Sequence, residues 1–224
     1  MNKLHKKQQL GFTIIELTLA MTMLSVMMLI LVLSTMQLVS VFNKGITLKR
    51  VNQSGRTVGA ELQNSLRHAN STQLNIRQST LGGNTVVTGI CTGNTSYIWN
   101  IYAKDSSNPD NQLSTSIKYS DEAKVGFAKV ADPTHEVCNN PSDSYRVPRG
   151  GSKELIGDGL VVRQPTTVAF APGGGLVSVT YTLSTDSVED IDDSTGRSTC
   201  SGGQVHDFCA LNTFLVTAYA RGGV

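Results

Sequence analysis

The side chains that most often do chemistry in enzymes are scattered in this sequence. It has four histidines: His5, His68, His135 and His206. It has no G-x-S-x-G, P-loop or H-E-x-x-H motif. His206 and Asp207 lie beside Cys209, but a catalytic pair needs an activated nucleophile within reach, so a surface loop is the favoured interpretation. We therefore expect no enzymatic activity and no cofactor.

A run of carboxylates is the best candidate for a metal site. Its members are Asp186, Glu189, Asp190, Asp192 and Asp193. Calcium prefers several oxygen ligands, but this run lacks the glycine at the sixth position and the glutamate at the end of an EF-hand loop. We expect a solvated acidic loop, with calcium binding as the alternative.

All four cysteines follow a long apolar segment near the start of the chain: Cys91, Cys138, Cys200 and Cys209. None forms a C-x-x-C pair, and an even number of cysteines beyond an apolar segment favours two disulfides in an oxidising compartment over four reduced thiols. Three pairings are possible. The hypothesis adopted is a local bridge between Cys200 and Cys209, with Cys138 joined back to Cys91.

The apolar segment runs from Leu17 to Asn43 without a charged side chain. As a helix it would be roughly 40 Å long, which exceeds the ~30 Å hydrocarbon core of a bilayer. Three lysines before it favour a cytoplasmic start, although basic residues also follow it and weaken that signal. The core of an ordinary secretory signal is shorter and ends at a small-residue cleavage site, so a membrane-spanning helix is predicted.

Glu16 lies just inside this apolar segment. A plain membrane anchor gives no reason for it, because a carboxylate within the membrane costs a few kcal/mol and normally marks a functional site. Cleavage after Gly11 would create a positive amine on Phe12, one helical turn away. That amine, from the same chain or from a neighbour, would be the partner of Glu16.

The stretch Gly11-Phe12-Thr13-Ile14-Ile15-Glu16-Leu17 resembles the prepilin signal of the type IV pilin and type II secretion pseudopilin superfamily. The resemblance implies that a membrane aspartyl peptidase cuts between Gly11 and Phe12 and that Phe12 is then N-methylated. It also implies that Glu16 recruits or registers the subunit in a growing fibre.

Two further features favour a minor subunit. Major pilins of this superfamily commonly carry a proline within the apolar helix, whereas this chain has none before Pro109. The segment 53–69 is similar to the same stretch of J/W-type minor subunits, which sit near the fibre tip and prime assembly.

The resemblance also implies partners and a location. The partners are other pilin subunits bound through the helix, the prepilin peptidase, an inner-membrane assembly platform, and membrane lipid before assembly. The head would lie outside the cytoplasmic membrane, on a surface pilus or a periplasmic pseudopilus. A net charge of +2 and 6% aromatic residues give no support for nucleic-acid binding.

Beyond Phe42 the pattern becomes amphipathic. One apolar stripe recurs at helical spacing: Leu48, Val51, Val58, Leu62, Leu66 and Ala69. This predicts a helix continuing to about Asn70, with its apolar face on a sheet. Three glycines, Gly45, Gly55 and Gly59, are interpreted as places for a bend or for close packing.

After Asn70 the period changes to two. Strands are predicted at 85–90, 97–102, 116–119, 125–128, 168–171, 176–183 and 213–221, with polar loops at 102–113 and 131–155. The 131–155 loop forms an exposed insertion or holds Cys138 near Cys91. One long helix followed by many strands predicts an α+β fold in which an antiparallel, pilin-like head covers the helix.

The predicted organisation has four parts. Residues 1–11 are a cleaved leader, 12–43 a transmembrane and assembly helix, 44–70 its amphipathic continuation, and 71–224 a β-rich extracytoplasmic head. The favoured function is a minor subunit of a type IV pilus that primes assembly near the tip. The alternatives are a minor pseudopilin of type II secretion and an anchored binding module that does not polymerise.

Overall fold

The computed structural model describes residues 13–81, 84–102, 117–140, 146–171, 175–186, 191–192, 198–200 and 209–221. Contacts between these residues divide the chain into two units, with the boundary between Phe42 and Asn43. The second unit, which begins at Asn43, is called the head below. Each is described by itself.

The described residues form both helices and strands. The helices are α1 (Ile14–His68) and α2 (Glu136–Asn139), with a short 3-10 turn at Ser71–Gln73. The strands are β1 (Leu74–Leu81), β2 (Asn84–Thr92), β3 (Thr95–Trp99), β4 (Lys118–Tyr119), β5 (Phe127–Ala131), β6 (Arg146–Val147), β7 (Ser152–Glu154), β8 (Leu160–Phe170), β9 (Leu176–Thr185), β10 (Ile191–Asp192), β11 (Thr199–Cys200) and β12 (Leu211–Tyr219).

Among the described residues, five strands form an antiparallel sheet in the order β1-β2-β3-β5-β7, and three form another in the order β12-β9-β8. The backbone N–H of Tyr102 donates to the carbonyl of Val162 at 2.7 Å and links the two sheets. Two short pairings complete this part of the chain, β10 with β11 and β4 with β6. A long apolar N-terminal helix with antiparallel sheets is an α+β fold, so the predicted fold class is confirmed.

The predicted hairpins are present. Strands β2 and β3 turn at Gly93, whose φ of 87° favours glycine. Strands β8 and β9 pair over nearly their whole lengths, and the inward residues of β9 are buried as their alternation predicted: Val177, Val179, Tyr181 and Leu183. The predicted loop at 131–155 contains α2, β6 and β7, and it places Cys138 against Cys91.

The core lies between the second half of α1 and the sheets. Val51, Val58 and Leu62 are fully buried, whereas Leu48 is 45% exposed, so the packed stripe begins at Val51. A row of aromatic rings faces the helix. Trp99 stacks on Phe127 at 4.8 Å, Phe127 meets Tyr181 at 5.8 Å, and Tyr181 stacks on Phe214 at 5.5 Å. Such pairs add stability beyond the area that they bury.

Glycines let the helix approach the sheet closely. A Cβ at Gly55 would overlap the Phe214 ring, and one at Gly59 would lie 3.0 Å from the Tyr181 hydroxyl. That hydroxyl donates to the carbonyl of Gly55 at 2.6 Å. By contrast, a Cβ at Gly45 would meet nothing within 4 Å. Close packing is therefore the role of Gly55 and Gly59.

Two disulfides join the pairs favoured above. The Cα atoms of Cys91 and Cys138 are 6.2 Å apart, and those of Cys200 and Cys209 are 6.1 Å apart. The first ties α2 to the five-stranded sheet, and the second precedes β12. Cross-links of this kind stabilise a domain mainly by restricting its unfolded chain.

Candidate functional site, the exposed apolar helix

The first part of α1 presents exposed apolar side chains. Between Ile14 and Phe42 the large hydrophobic side chains are 51–84% exposed. The most apolar window of α1 has a mean hydropathy of 2.3 and no buried residue. This one helix is long and apolar enough to span a membrane. Soluble monomers rarely expose apolar patches above a few hundred Å², so this surface is compatible with a single membrane-spanning segment.

Five of the six hydroxyl groups between Leu17 and Phe42 are satisfied by the helix itself. Each donates to a backbone carbonyl three or four residues earlier, at 2.8–3.0 Å: Thr18, Thr22, Ser25, Ser34 and Thr35. Back-bonding removes the cost of placing a hydroxyl among apolar groups. The surface is therefore compatible with a hydrocarbon environment despite its serines and threonines.

The first turn of α1 is closed by Thr13 and Glu16. The Glu16 Oε2 atom accepts from the Thr13 backbone N–H at 3.2 Å and from the Thr13 hydroxyl at 3.1 Å. The Glu16 backbone N–H points back to the Thr13 Oγ1 at 3.4 Å. This is a capping box, which satisfies backbone donors that the helix start leaves open. It also places a carboxylate at the positive end of the helix dipole.

The structure thus assigns Glu16 a partner that the sequence interpretation overlooked. The expected partner was the amine of Phe12, but Gly11 and Phe12 lie outside the described residues. Thr13 was missed, although the T-x-x-E spacing from Thr13 to Glu16 is the sequence signature of a capping box. The second carboxylate oxygen, Oε1, accepts no hydrogen bond from the described part of the chain.

No family model, curated protein or solved structure matches this chain. Function is therefore inferred from its own residues.

The acidic run does not form a metal site in the part of the chain that is described. Asp186 is exposed, and its backbone N–H donates to the carbonyl of Gly159 at 3.0 Å. Asp192 is in β10, and Glu189, Asp190 and Asp193 lie outside the described residues. Within those residues, no three His, Cys, Asp or Glu side chains are placed to hold a metal ion.

Within the head, a polar clamp fixes the second half of α1 on the five-stranded sheet. Lys129 Nζ donates to Glu61 Oε1 at 2.6 Å, and the Tyr97 hydroxyl lies 2.5 Å from Ser65 Oγ and 3.4 Å from Glu61 Oε1. The hydrogen bond from Lys129 lowers the pKa of Glu61, and the same bond raises the pKa of Lys129. Burial raises the pKa of Tyr97, so its hydroxyl stays protonated at neutral pH.

We expect the clamp to make the head sensitive to acid. The lowered pKa of Glu61 means that its stabilisation is present above its unfolded pKa of about 4.3 and is lost as pH falls through the folded pKa. Both side chains are about a third exposed, at 33% for Glu61 and 35% for Lys129, so the effect should stay below about 1 kcal/mol. Unfolding of Glu61→Gln, followed between pH 3 and 7, should show a smaller loss at acid pH than the unchanged protein.

The matched control is Glu136→Gln. Glu136 is exposed on α2 and takes part in no ion pair found among the described residues. Its replacement should leave the acid slope unchanged. An acid slope that Glu61→Gln does not reduce would contradict the role of the clamp.

A cleft of about 450 Å³ lies elsewhere on the head. Glu154 accepts from the Tyr119 hydroxyl at 2.9 Å and from the backbone N–H groups of Gly126 and Phe127 at 3.2 and 2.5 Å. Arg149 stacks on the Tyr119 ring at 3.8 Å. Burial, reinforced by Glu154, raises the pKa of Tyr119, so it is a proton donor in a structural network. The network stabilises the packing of β5 and β7 and leaves no activated nucleophile among these groups.

Proposed function

We propose that the chain is a minor subunit of a type IV pilus-like fibre that primes assembly near the tip. A prepilin peptidase removes residues 1–11 and the new amine of Phe12 is methylated. The membrane-inserted subunit then leaves the bilayer by packing its apolar helix against those of other subunits. The head remains outside the cytoplasmic membrane.

The observation that carries this proposal is the sequence Gly11-Phe12 directly before a helix with exposed apolar side chains. A soluble domain rarely exposes so large an apolar surface. A simple membrane anchor does not explain Glu16, because a carboxylate within the membrane is costly. In a fibre, both are used. The apolar side chains pack between helices, and Glu16 Oε1 can accept from a Phe12 amine while Oε2 keeps its bonds to Thr13.

Intact-mass and amino-terminal analysis of the mature protein tests the proposal. The expected result is a chain that begins at N-methyl-Phe12. A mature chain that begins at Met1 would falsify the processing step and leave a simple membrane anchor.

The type of fibre is decided by different measurements. A neighbouring gene for a retraction ATPase supports a pilus, and genes of an outer-membrane secretion channel support a type II pseudopilus. Mass spectrometry of purified fibres is expected to detect the chain at low copy number. Its absence from fibres, with correct processing, would favour an anchored binding module.

A further inference from the structure

The segment of α1 that follows Asn43 mixes exposed cations with exposed apolar side chains. Lys44 and Lys49 are exposed, and between them Ile46 is 51% and Leu48 is 45% exposed. Farther along α1 the exposed face carries no large hydrophobic side chain. This mixed composition is therefore confined to 44–49, which we name the collar segment.

The two lysines have no anionic partner within the described part of the chain. None of the ion pairs found there includes Lys44 or Lys49. The neighbouring Arg50 differs, because its guanidinium donates to the backbone carbonyl of Asp158. The lysines of the collar segment are thus available to an external anion.

Their positions match the depth of a headgroup layer. Lys44 is one residue past Asn43 and Lys49 is six, so Lys49 lies roughly 9 Å past Asn43 along the helix. The interfacial layer on each side of a bilayer is about 5–8 Å thick, and a lysine reaches several more ångströms along its own stem. Five residues also turn the helix by about 140°, so the lysines emerge on different sides of it.

We propose that the collar segment binds anionic phospholipid. Lys44 and Lys49 contact phosphate groups in the leaflet from which the head emerges, and Ile46 and Leu48 lie between the two lysines within the same interfacial layer. This inference rests on the proposed function, because it requires the membrane-inserted subunit. The lipid would hold the head at a fixed height until the helix is transferred to the fibre.

A protein partner with an acidic surface would use a longer stretch of the helix. Arg56 lies seven residues beyond Lys49 on the same face and is exposed, but it is about 20 Å past Asn43 and out of reach of headgroups. A lipid site therefore depends on Lys44 and Lys49 and not on Arg56. An acidic protein would depend on Arg56 as well.

Lysine footprinting of the full chain tests the proposal. The protein is inserted into vesicles of phosphatidylcholine alone, or of equal parts phosphatidylcholine and phosphatidylglycerol, and treated with an amine-acetylating reagent. Lys44 and Lys49 should be acetylated about fivefold more slowly in the anionic vesicles. Lys153, which is exposed on the head, should react equally in both.

Native mass spectrometry of the full chain, released from the anionic vesicles in mild detergent, supplies the variant test. The K44Q/K49Q protein should retain about tenfold less phosphatidylglycerol than the unchanged protein, whereas R56Q should retain as much. Equal acetylation of Lys44 and Lys49 in both vesicles would overturn the proposal, as would an equal loss of lipid in R56Q. Protection of these lysines from acetylation in fibres, but not in either kind of vesicle, would show that the collar segment binds a protein partner instead of lipid.

The experiments distinguish failure of the lipid-binding proposal from failure of the proposed function. A chain that is processed to Phe12 and floats with vesicles, but shows no lysine protection, contradicts only the collar site. A chain that floats with neither kind of vesicle contradicts the membrane-inserted precursor itself.

Discussion

Replacement of Gly55 by alanine is expected to lower the free energy of unfolding of the head by about 1–3 kcal/mol, even though alanine is the better helix former. The new methyl group would overlap the ring of Phe214, which stacks on Tyr181 at 5.5 Å. The ring must leave that stack or the helix must move off the sheet. The single tryptophan, Trp99, is fully buried in the same core cluster as Val58 and Leu62. Its fluorescence during urea unfolding of the full chain in detergent therefore measures the loss.

The matched control is Gly45→Ala. It lies on the same helix with no atom within 4 Å of its would-be Cβ, so it should be neutral or stabilise by up to about 1 kcal/mol. The double variant Gly55→Ala/Phe214→Ala should lose less stability than the sum of the two single changes, since each relieves the other's contact. If Gly55→Ala and Gly45→Ala change the free energy of unfolding equally, the helix has room for a methyl group between Gly55 and the Phe214 ring.

Under the proposed function, Glu16→Gln is expected to leave peptidase cleavage intact and to reduce incorporation into fibres by more than about tenfold. The reason is that an amine left without its carboxylate in an apolar environment costs several kcal/mol. Glutamine keeps the size and the capping acceptor but removes the charge. Quantitative mass spectrometry of purified fibres and of membranes, in a strain lacking the unchanged copy, measures both quantities.

Thr13→Val separates the two roles of Glu16. It removes the hydroxyl that donates to Glu16 Oε2 at 3.1 Å and leaves the charge. Loss of a cap costs about 1 kcal/mol, which a long helix tolerates, so incorporation should stay near normal. If Thr13→Val reduces incorporation as strongly as Glu16→Gln, the capping box and not the charge is what assembly requires.

The parts of the fold that sequence predicted are those with a strong local period. The buried stripe from Val51 to Leu66 repeats at helical spacing, and Val177 to Leu183 alternates strictly along β9. Strand β1 was missed, because its residues after Leu74 are mostly polar. Its Arg77 is buried and donates to the carbonyl of Val137 at 2.7 Å, a contact across 60 positions that no local pattern contains.

Local sequence patterns are equally unable to predict contacts between distant residues at the candidate site. The exposed apolar helix follows directly from composition, whereas the clamp of Glu61 and Lys129 joins residues 68 positions apart. Its members look like ordinary surface charges in the sequence, and only the packing of α1 on β5 brings them together. Thr13 is different, since its T-x-x-E spacing to Glu16 is visible in the sequence and was overlooked.

The self-satisfied hydroxyls of α1 have a consequence for how a subunit could change surroundings. Each of the five donors carries its acceptor within the same helix, so extraction from lipid into a bundle of helices breaks and forms no hydrogen bond at these positions. The hydrogen-bond energy of these five hydroxyl groups is then nearly the same in lipid and among packed helices. Under the proposed function, the equilibrium between lipid and fibre therefore depends on side-chain shape and on the charge at Glu16, so a small change in either one shifts it.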